Sequence, residues 1–257
     1  MKSESTEYGS LLLNKVPEVT LLFWIIKIMA TTVGETGADF LIFNMGFGLE
    51  KVSYLMTGVL AAAIFLQFYT KKYVPWVYWV AVVLVSIVGT LITDSLVDIY
   101  AISLEATTLF FSIALAATFA VWYASERTLS IQTIYSRKRE LFYWAAILFT
   151  FALGTAAGDL ASEGWGLGYE KSGLIFAGLI ALVAVGHYLF NLNAVLSFWV
   201  AYILTRPLGA SFGDYLSQPG SNGGLGLGTI HTSEAFLVVI VIAVGYLTLF
   251  PKTAAKT

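Results

Sequence analysis

The sequence predicts an all-α polytopic membrane protein whose eight transmembrane helices form four parallel two-helix repeats. Two observations predict this class: a series of long apolar stretches, and a pattern of aromatic, glycine and aspartate residues that recurs four times. The 257 residues are 58% hydrophobic and only 12% charged, whereas soluble domains carry about 25% charged residues. This composition excludes an ordinary soluble enzyme, a disordered protein and a disulfide scaffold. The absence of cysteine excludes thiol catalysis and cysteine-ligated metal.

Eight stretches of the chain are long enough to cross a bilayer, which takes about 20 apolar residues per helix. Their predicted bounds are 17–41, 52–70, 74–97, 107–125, 140–162, 172–190, 193–216 and 235–250. Too few polar residues remain to cover eight such helices in a soluble protein. We therefore expect one transmembrane domain over residues 1–257, with the lipid bilayer as its partner.

The basic residues predict the orientation of these helices. Lysine and arginine favour cytoplasmic loops, and ten of them fall on the side of the two termini: Lys2, Lys15, Lys71, Lys72, Arg127, Arg137, Lys138, Arg139, Lys252 and Lys256. The opposite loops hold only Lys51 and Lys171. We expect a multi-pass protein of the inner (cytoplasmic) membrane with cytoplasmic N- and C-termini. The net charge of −2 gives no reason to expect nucleic acid as a partner.

A repeated unit begins at each odd-numbered helix with an aromatic–tryptophan pair. A glycine follows each tryptophan after ten residues and an aspartate after fifteen. The tryptophans are Trp24, Trp79, Trp144 and Trp199, the glycines are Gly34, Gly89, Gly154 and Gly209, and the aspartates are Asp39, Asp94, Asp159 and Asp214. Because each unit holds two helices, all four enter the membrane in the same direction. The predicted repeats span about 17–73, 74–137, 138–192 and 193–251, and the first and third align without gaps, so the chain divides into two related four-helix halves.

This pattern resembles a family of uncharacterised bacterial integral membrane proteins with four tandem two-helix repeats of unknown function, each with a characteristic tryptophan. The resemblance covers residues 17–250, nearly the whole chain. It implies the fold and the number of repeats, and it implies no activity.

The repeated tryptophans and glycines are expected to have structural roles. A tryptophan near a helix end is typical of an interfacial anchor or a packing residue. Each glycine is followed four residues later by another small residue, a spacing that lets membrane helices approach closely. Such packing would draw the odd-numbered helices together at the centre of the protein.

The repeated aspartates are the candidate binding residues. A carboxylate within the hydrocarbon is costly unless it is paired or hydrated, so an intramembrane acid is a functional candidate. Parallel repeats place all four aspartates at one depth, where they can form a cation site if the odd-numbered helices line the centre. The alternative is that each aspartate caps the following loop or bonds a neighbouring helix. Asp98, one turn after Asp94, extends the acidic surface in the second repeat.

Glu35 departs from the repeat, because the equivalent residues are Thr90, Thr155 and Ala210. It lies four residues before Asp39 on the same helix face. Closely spaced carboxylates raise each other's proton affinity, so this pair is a candidate metal or proton site. A bound metal ion is accordingly the cofactor that we consider.

Two basic residues also stand within predicted spans. Arg206 precedes Pro207, which is expected to free a backbone carbonyl and kink the seventh helix; its role is gating or substrate contact, or alternatively charge pairing with Glu35 or an aspartate. Lys27 lies eight residues before Glu35 and is expected to reach the cytoplasmic interface or to pair with an internal acid.

Three classes of function follow from these residues. The preferred one is a transporter or channel-like permease for a small cation, either a metal ion or a proton-coupled solute. The second is a membrane enzyme that uses Glu35 and Asp39 as an acid pair on a lipid or quinone, although an enzyme is the less favoured class. The third is a structural or sensory membrane protein in which aspartate and glycine serve packing only. The sequence does not determine the oligomeric state.

Overall fold

Eight long helices form the part of the protein that the computed structural model describes, residues 14–250. They are α1 (Leu21–Asp39), α2 (Leu49–Tyr69), α3 (Pro75–Asp94), α4 (Leu104–Glu126), α5 (Arg137–Asp159), α6 (Tyr169–Phe190), α7 (Ala194–Ser217) and α8 (Thr229–Leu249). No strand occurs among these residues. All eight helices are long and apolar enough to cross a membrane. The chain is a multi-pass membrane protein, and the predicted fold class is confirmed.

The odd-numbered helices form the centre of the bundle. Helices α1, α3, α5 and α7 pack in a closed ring in that order, with α7 returning to α1. In their apolar stretches 56–61% of residues are buried, against 0–28% in the even-numbered helices, so the latter form the outer layer. We call the end of the ring that carries the four tryptophans the Trp end, and the opposite end the Asp end.

Each outer helix packs mainly against the core helix of the next repeat. Helix α2 lies against α3, α4 against α5, α6 against α7, and α8 closes the circle against α1. A two-helix unit of this kind cannot bury its apolar face alone and needs its neighbours to do so. The four repeats therefore form one cyclic, pseudo-fourfold bundle.

The repeated glycines lie where adjacent core helices approach most closely. Each one faces the residue that stands seven positions after the tryptophan of the next repeat around the ring, and a Cβ atom at the glycine would overlap with that residue. The four pairs are Gly34 with Ser86, Gly89 with Phe151, Gly154 with Arg206 and Gly209 with Thr31. Small residues at such crossings allow backbone contact between membrane helices.

In the first three repeats a π-helical turn follows the repeated aspartate directly. These turns are Phe40–Asn44, Ser95–Ile99 and Leu160–Gly164. Turns of this type are rare and frequently lie at functional sites. Helix α7 of the fourth repeat instead remains α-helical to Ser217, so Asp214 lies inside a regular helix, and it is buried where the other three aspartates are half-buried.

Candidate functional site

Five layers of equivalent residues follow one another along the centre of the ring. Successive layers are four residues apart on each core helix, and residues with this spacing lie along one ridge of a helix. From the Trp end the layers are Phe23, Tyr78, Tyr143 and Phe198; Lys27, Val82, Ile147 and Tyr202; Thr31, Ser86, Phe151 and Arg206; Glu35, Thr90, Thr155 and Ala210; and Asp39, Asp94, Asp159 and Asp214. The first four layers are buried throughout.

Aromatic side chains close the centre of the ring at the Trp end. The hydroxyl oxygens of Tyr78 and Tyr143 are 2.5 Å apart and form a hydrogen bond, and the rings of Phe23 and Phe198 lie 6.0 Å apart. The repeated tryptophans pack beside this layer. Three of them are buried and Trp24 is half-buried. The tryptophans therefore pack inside the bundle, which is one of their two expected roles, and are not anchors exposed at an interface.

Lys27 lies deeper, and neither of its two expected arrangements is found. Its side chain is fully buried and therefore does not reach an interface, and within residues 14–250 its Nζ atom has no hydrogen-bond partner. The amino group instead lies 4.2 Å from the ring centre of Phe151 and 4.3 Å from that of Tyr202, a cation–π arrangement. The physical reason is that Glu35 lies two layers away, about 12 Å along the helix, and is bound by Arg206 from the layer between them.

Arg206 joins all four core helices. From α7, its Nη2 atom donates to Glu35 Oε2 on α1 at 2.7 Å, to Thr90 Oγ1 on α3 and to Thr155 Oγ1 on α5 at 2.7 Å. Its Nη1 atom donates to the Thr31 carbonyl oxygen on α1 at 3.4 Å. Of the two roles expected for Arg206, the structure contains the ion pair with Glu35.

Burial makes this ion pair sensitive to the loss of either partner. The side chain of Arg206 is 0% exposed and that of Glu35 is 9% exposed. Removing one member of a buried pair leaves an uncompensated charge, which typically costs about 3–5 kcal/mol. The two threonines supply additional acceptors for the guanidinium, as a buried charge requires.

A cavity of about 430 Å³ opens in the ring at the Asp end. Seven carboxylate residues line it: Glu35, Asp39, Asp94, Asp98, Asp159, Glu163 and Asp214. The lining contains no lysine, arginine or histidine among the described residues. All four repeated aspartates thus face one cavity, which is the convergence that the sequence left open, and Asp98 extends its acidic surface.

The repeated aspartates are not helix caps. Asp39, Asp94 and Asp159 make no side-chain capping bond to the π-helical turns that follow them. No side-chain hydrogen bond from residues 14–250 reaches any of the four carboxylates. The capping alternative is therefore not what the structure contains. Carboxylates left without protein donors need water or cations in the cavity.

Glu35, Asp159 and Asp214 come together most closely. One carboxylate oxygen from each lies within 4.8 Å of those of the other two. Two ionised carboxylates at that distance repel by about 3 kcal/mol at an effective dielectric constant of about 20. Asp39, which the sequence predicts to form a carboxylate pair with Glu35, lines the same cavity but does not belong to this group of three.

Several residues of the site were not singled out from the sequence. Thr90 and Thr155 bind Arg206. In the sequence, the only feature that distinguishes them is that they are equivalent to Glu35 in their repeats. Glu163 and Gln218 line the cavity from beyond the core helices. A signal for the first two would have been that three of the four equivalent positions in the layer of Glu35 are polar, within helices that are otherwise mostly apolar.

A second buried ion pair lies at the Trp end. Lys15 Nζ donates to Glu140 Oε2 at 2.6 Å and to the Phe68 carbonyl oxygen at 3.3 Å, and Gln67 Nε2 donates to Glu140 Oε1 at 3.4 Å. The side chains of Lys15 and Glu140 are 7% and 1% exposed. From the sequence, Lys15 is expected only to orient the helices in the membrane. The pair fixes the segment before α1 to α2 and α5.

Comparison with known proteins identifies the repeat. A family model described as Repeat of Unknown Function (DUF347) matches residues 22–73, 77–128, 142–192 and 197–253. The chain belongs to this family, and the four predicted repeats are confirmed. No curated protein and no solved structure matches the chain.

Proposed function

We propose that this member of the DUF347 repeat family is a transporter or channel-like permease for a small cation. The observation that carries the proposal is the cavity at the Asp end, because seven carboxylates and, within residues 14–250, no basic side chain line it. Rings of acidic residues are the usual means by which membrane pathways select cations. An anion would meet only like charge there.

The residue layers between the cavity and the Trp end indicate the rest of the proposed path. A cation enters from the Asp end and exchanges water for carboxylate oxygens, with Glu35, Asp39, Asp94, Asp159 and Asp214 as the binding residues. Three successive layers close the path toward the Trp end: the ion pair of Glu35 with Arg206, then Lys27 between two aromatic rings, and then the hydrogen-bonded tyrosine pair. Passage requires these layers to open, so Arg206 and Lys27 balance charge and gate.

The distribution of basic residues supports an orientation for this path. Among the described residues, seven lysine and arginine residues lie on the side of the Trp end and two lie in the opposite loops, which by the positive-inside rule supports a cytoplasmic Trp end and cytoplasmic termini. In the inner membrane, the carboxylate-lined cavity then opens away from the cytoplasm. A metal ion and a proton-coupled solute both belong to the class of substrate that such a cavity accepts.

Cation flux in reconstituted vesicles tests this function. Full-length protein is inserted into liposomes loaded with a divalent-cation or a pH indicator, and flux is started with a gradient of Mn²⁺, Na⁺ or H⁺. We expect flux of at least one of these ions with the wild-type protein. The D159N and D214N variants, which keep the shape of the carboxylates but remove their charge, should lose at least nine tenths of the initial rate.

The matched control is E234Q. Glu234 lies near the Asp end on outer helix α8, and its side chain is 71% exposed, so neutralising it should leave flux unchanged. Unchanged flux in both D159N and D214N would contradict the proposal. Turnover of a lipid or quinone in detergent, without any gradient and with no flux in vesicles, would instead favour the membrane-enzyme hypothesis.

A further inference from the structure

The layer of the four repeated aspartates contains a buried carboxylate without a protein donor. Asp214 is 7% exposed, lines the cavity, and receives no side-chain hydrogen bond from the described residues. Glu35, also 7% exposed, uses Oε2 for both of its hydrogen bonds, to Arg206 and Thr90. Carboxylate oxygens that open into the cavity without a protein donor point to a ligand that supplies positive charge.

The spacing of these oxygens fits a single hard cation. One oxygen from each of Glu35, Asp159 and Asp214 lies within 4.8 Å of the others. Three oxygens no more than 4.8 Å apart can all lie within about 2.8 Å of one central point, whereas oxygen ligands lie about 2.3–2.6 Å from Ca²⁺ and about 2.0–2.1 Å from Mg²⁺. Side-chain movements of less than about 1 Å therefore bring all three oxygens into one coordination shell. The cavity leaves room for water as the remaining ligands.

The local charge indicates the valence of that cation. Metal ligation requires deprotonated carboxylates; in that state the three contribute −3 and the guanidinium of Arg206, bound to Glu35, contributes +1, so the group carries −2. We propose that Glu35, Asp159 and Asp214 bind one divalent cation and that Arg206 is the resident counter-charge, which leaves Glu35 when the ion binds. This inference deepens the proposed function and rests on it.

The release of Arg206 links binding to the core helices. Arg206 holds α7 to α1, α3 and α5 through Glu35, Thr90 and Thr155. A divalent cation on Glu35 repels the guanidinium and competes for the same carboxylate. Once Arg206 leaves, the hydrogen bonds that join the four helices at this level are lost. Occupation of the site thereby opens the layer that closes the cavity toward the Trp end.

Equilibrium binding of Mn²⁺ tests the site without any need for transport. Full-length protein in detergent is titrated with Mn²⁺, and the free ion is measured by its electron paramagnetic resonance signal. We expect one ion per chain in the wild type. The affinity should fall at least tenfold in D159N and in D214N and should not change in E234Q. No saturable binding by the wild type, or equal binding by D159N and D214N, would overturn the site.

Replacing the arginine tests its role as counter-charge. R206Q removes the competing cation, so its Mn²⁺ affinity should rise about tenfold, whereas a fall in affinity would show that Arg206 supports the site instead of competing for it. If R206Q does not fold, T155V serves in its place. This variant removes one acceptor of the guanidinium, so Arg206 is held less strongly and the affinity for Mn²⁺ should again rise. An unchanged or lower affinity would overturn the displacement of Arg206 from Glu35.

The two proposals fail in different ways. Flux that requires Asp159 and Asp214 but comes without Mn²⁺ binding overturns the divalent site and leaves a permease for monovalent cations. Saturable Mn²⁺ binding without flux of any cation overturns the permease and leaves a metal-binding membrane protein.

Discussion

Arg206 on α7 and Glu35 on α1 form a buried ion pair, with Nη2 and Oε2 2.7 Å apart, at the level where the carboxylate-lined cavity ends. Neither charge recurs at the equivalent positions of the other three repeats. The positions equivalent to Arg206 are Thr31, Ser86 and Phe151, and those equivalent to Glu35 are Thr90, Thr155 and Ala210. The pair therefore breaks the fourfold pattern between the first and fourth repeats. Symmetric packing does not require it, which supports the gating role proposed for it.

A double-mutant cycle measures this ion pair. E35Q and R206Q each leave a buried charge without its partner and should lower the free energy of unfolding by about 3–5 kcal/mol. The double variant removes both charges, so its loss should be well below the sum of the single losses. Denaturant titration in mixed micelles gives the three values. Additive losses would mean that the two side chains are not energetically coupled.

The ion pair of Lys15 with Glu140 should matter far more than a surface pair nearby. K15A leaves Glu140 buried without its cation, and we expect a loss of about 3–5 kcal/mol. Lys138 also pairs with a glutamate, Glu126, at 3.2 Å, but its side chain is 62% exposed. K138A should accordingly cost less than about 1 kcal/mol. The same micelle titration compares the two variants, and similar losses would contradict the structural role of the buried pair.

The close approach of the core helices predicts which glycines tolerate a methyl group. A Cβ at Gly89 would lie 2.7 Å from Phe151 Cβ and 3.2 Å from the Ala152 nitrogen, and backbone cannot move aside cheaply. G89A should lower the free energy of unfolding by about 1–3 kcal/mol. At Gly58, on outer helix α2, no atom lies within 4 Å of the added carbon, so G58A should be neutral or stabilising. A destabilised G58A with an unaffected G89A would overturn the helix arrangement.

The absence of native cysteine makes the orientation directly measurable. Ser125 at the Trp end and Ser221 at the Asp end are both exposed, and each can be replaced by a single cysteine. In intact cells, a membrane-impermeant maleimide should label S221C, whereas S125C should react only after the membrane is permeabilised. The reverse pattern would place the cavity on the cytoplasmic side and the termini outside.

Much of the fold could be predicted because the repeated residues align the four units with one another. Tryptophan, glycine and aspartate at fixed spacing indicated the number of units, their common direction and the helices that face the centre. The bounds were less accurate where polar residues begin a helix. Helix α8 starts at Thr229 and not at 235, because His231, Ser233 and Glu234 lower the hydropathy of its first two turns without breaking the helix.

The partners of the charged residues could be predicted only in part. The equal depth of the aspartates follows from the repeat, but their meeting in one cavity depends on closure of the ring by α7 and α1. The pairing of Arg206 with Glu35 stood among the alternatives, since both are exceptional residues at similar depth. The position of Lys27 between Phe151 and Tyr202 was not foreseen, because it depends on which of two cations reaches the carboxylate.

Cation flux through vesicles that contain purified protein is the most direct test of the central claim, that the carboxylate cavity is a cation path. The decisive comparison is the initial rate of wild-type protein against D214N under the same gradient, with E234Q as the control and gel filtration confirming that all three fold alike. We predict that D214N loses at least nine tenths of the wild-type rate while E234Q retains it. Equal rates in all three proteins would show that Asp214 takes no part in cation passage.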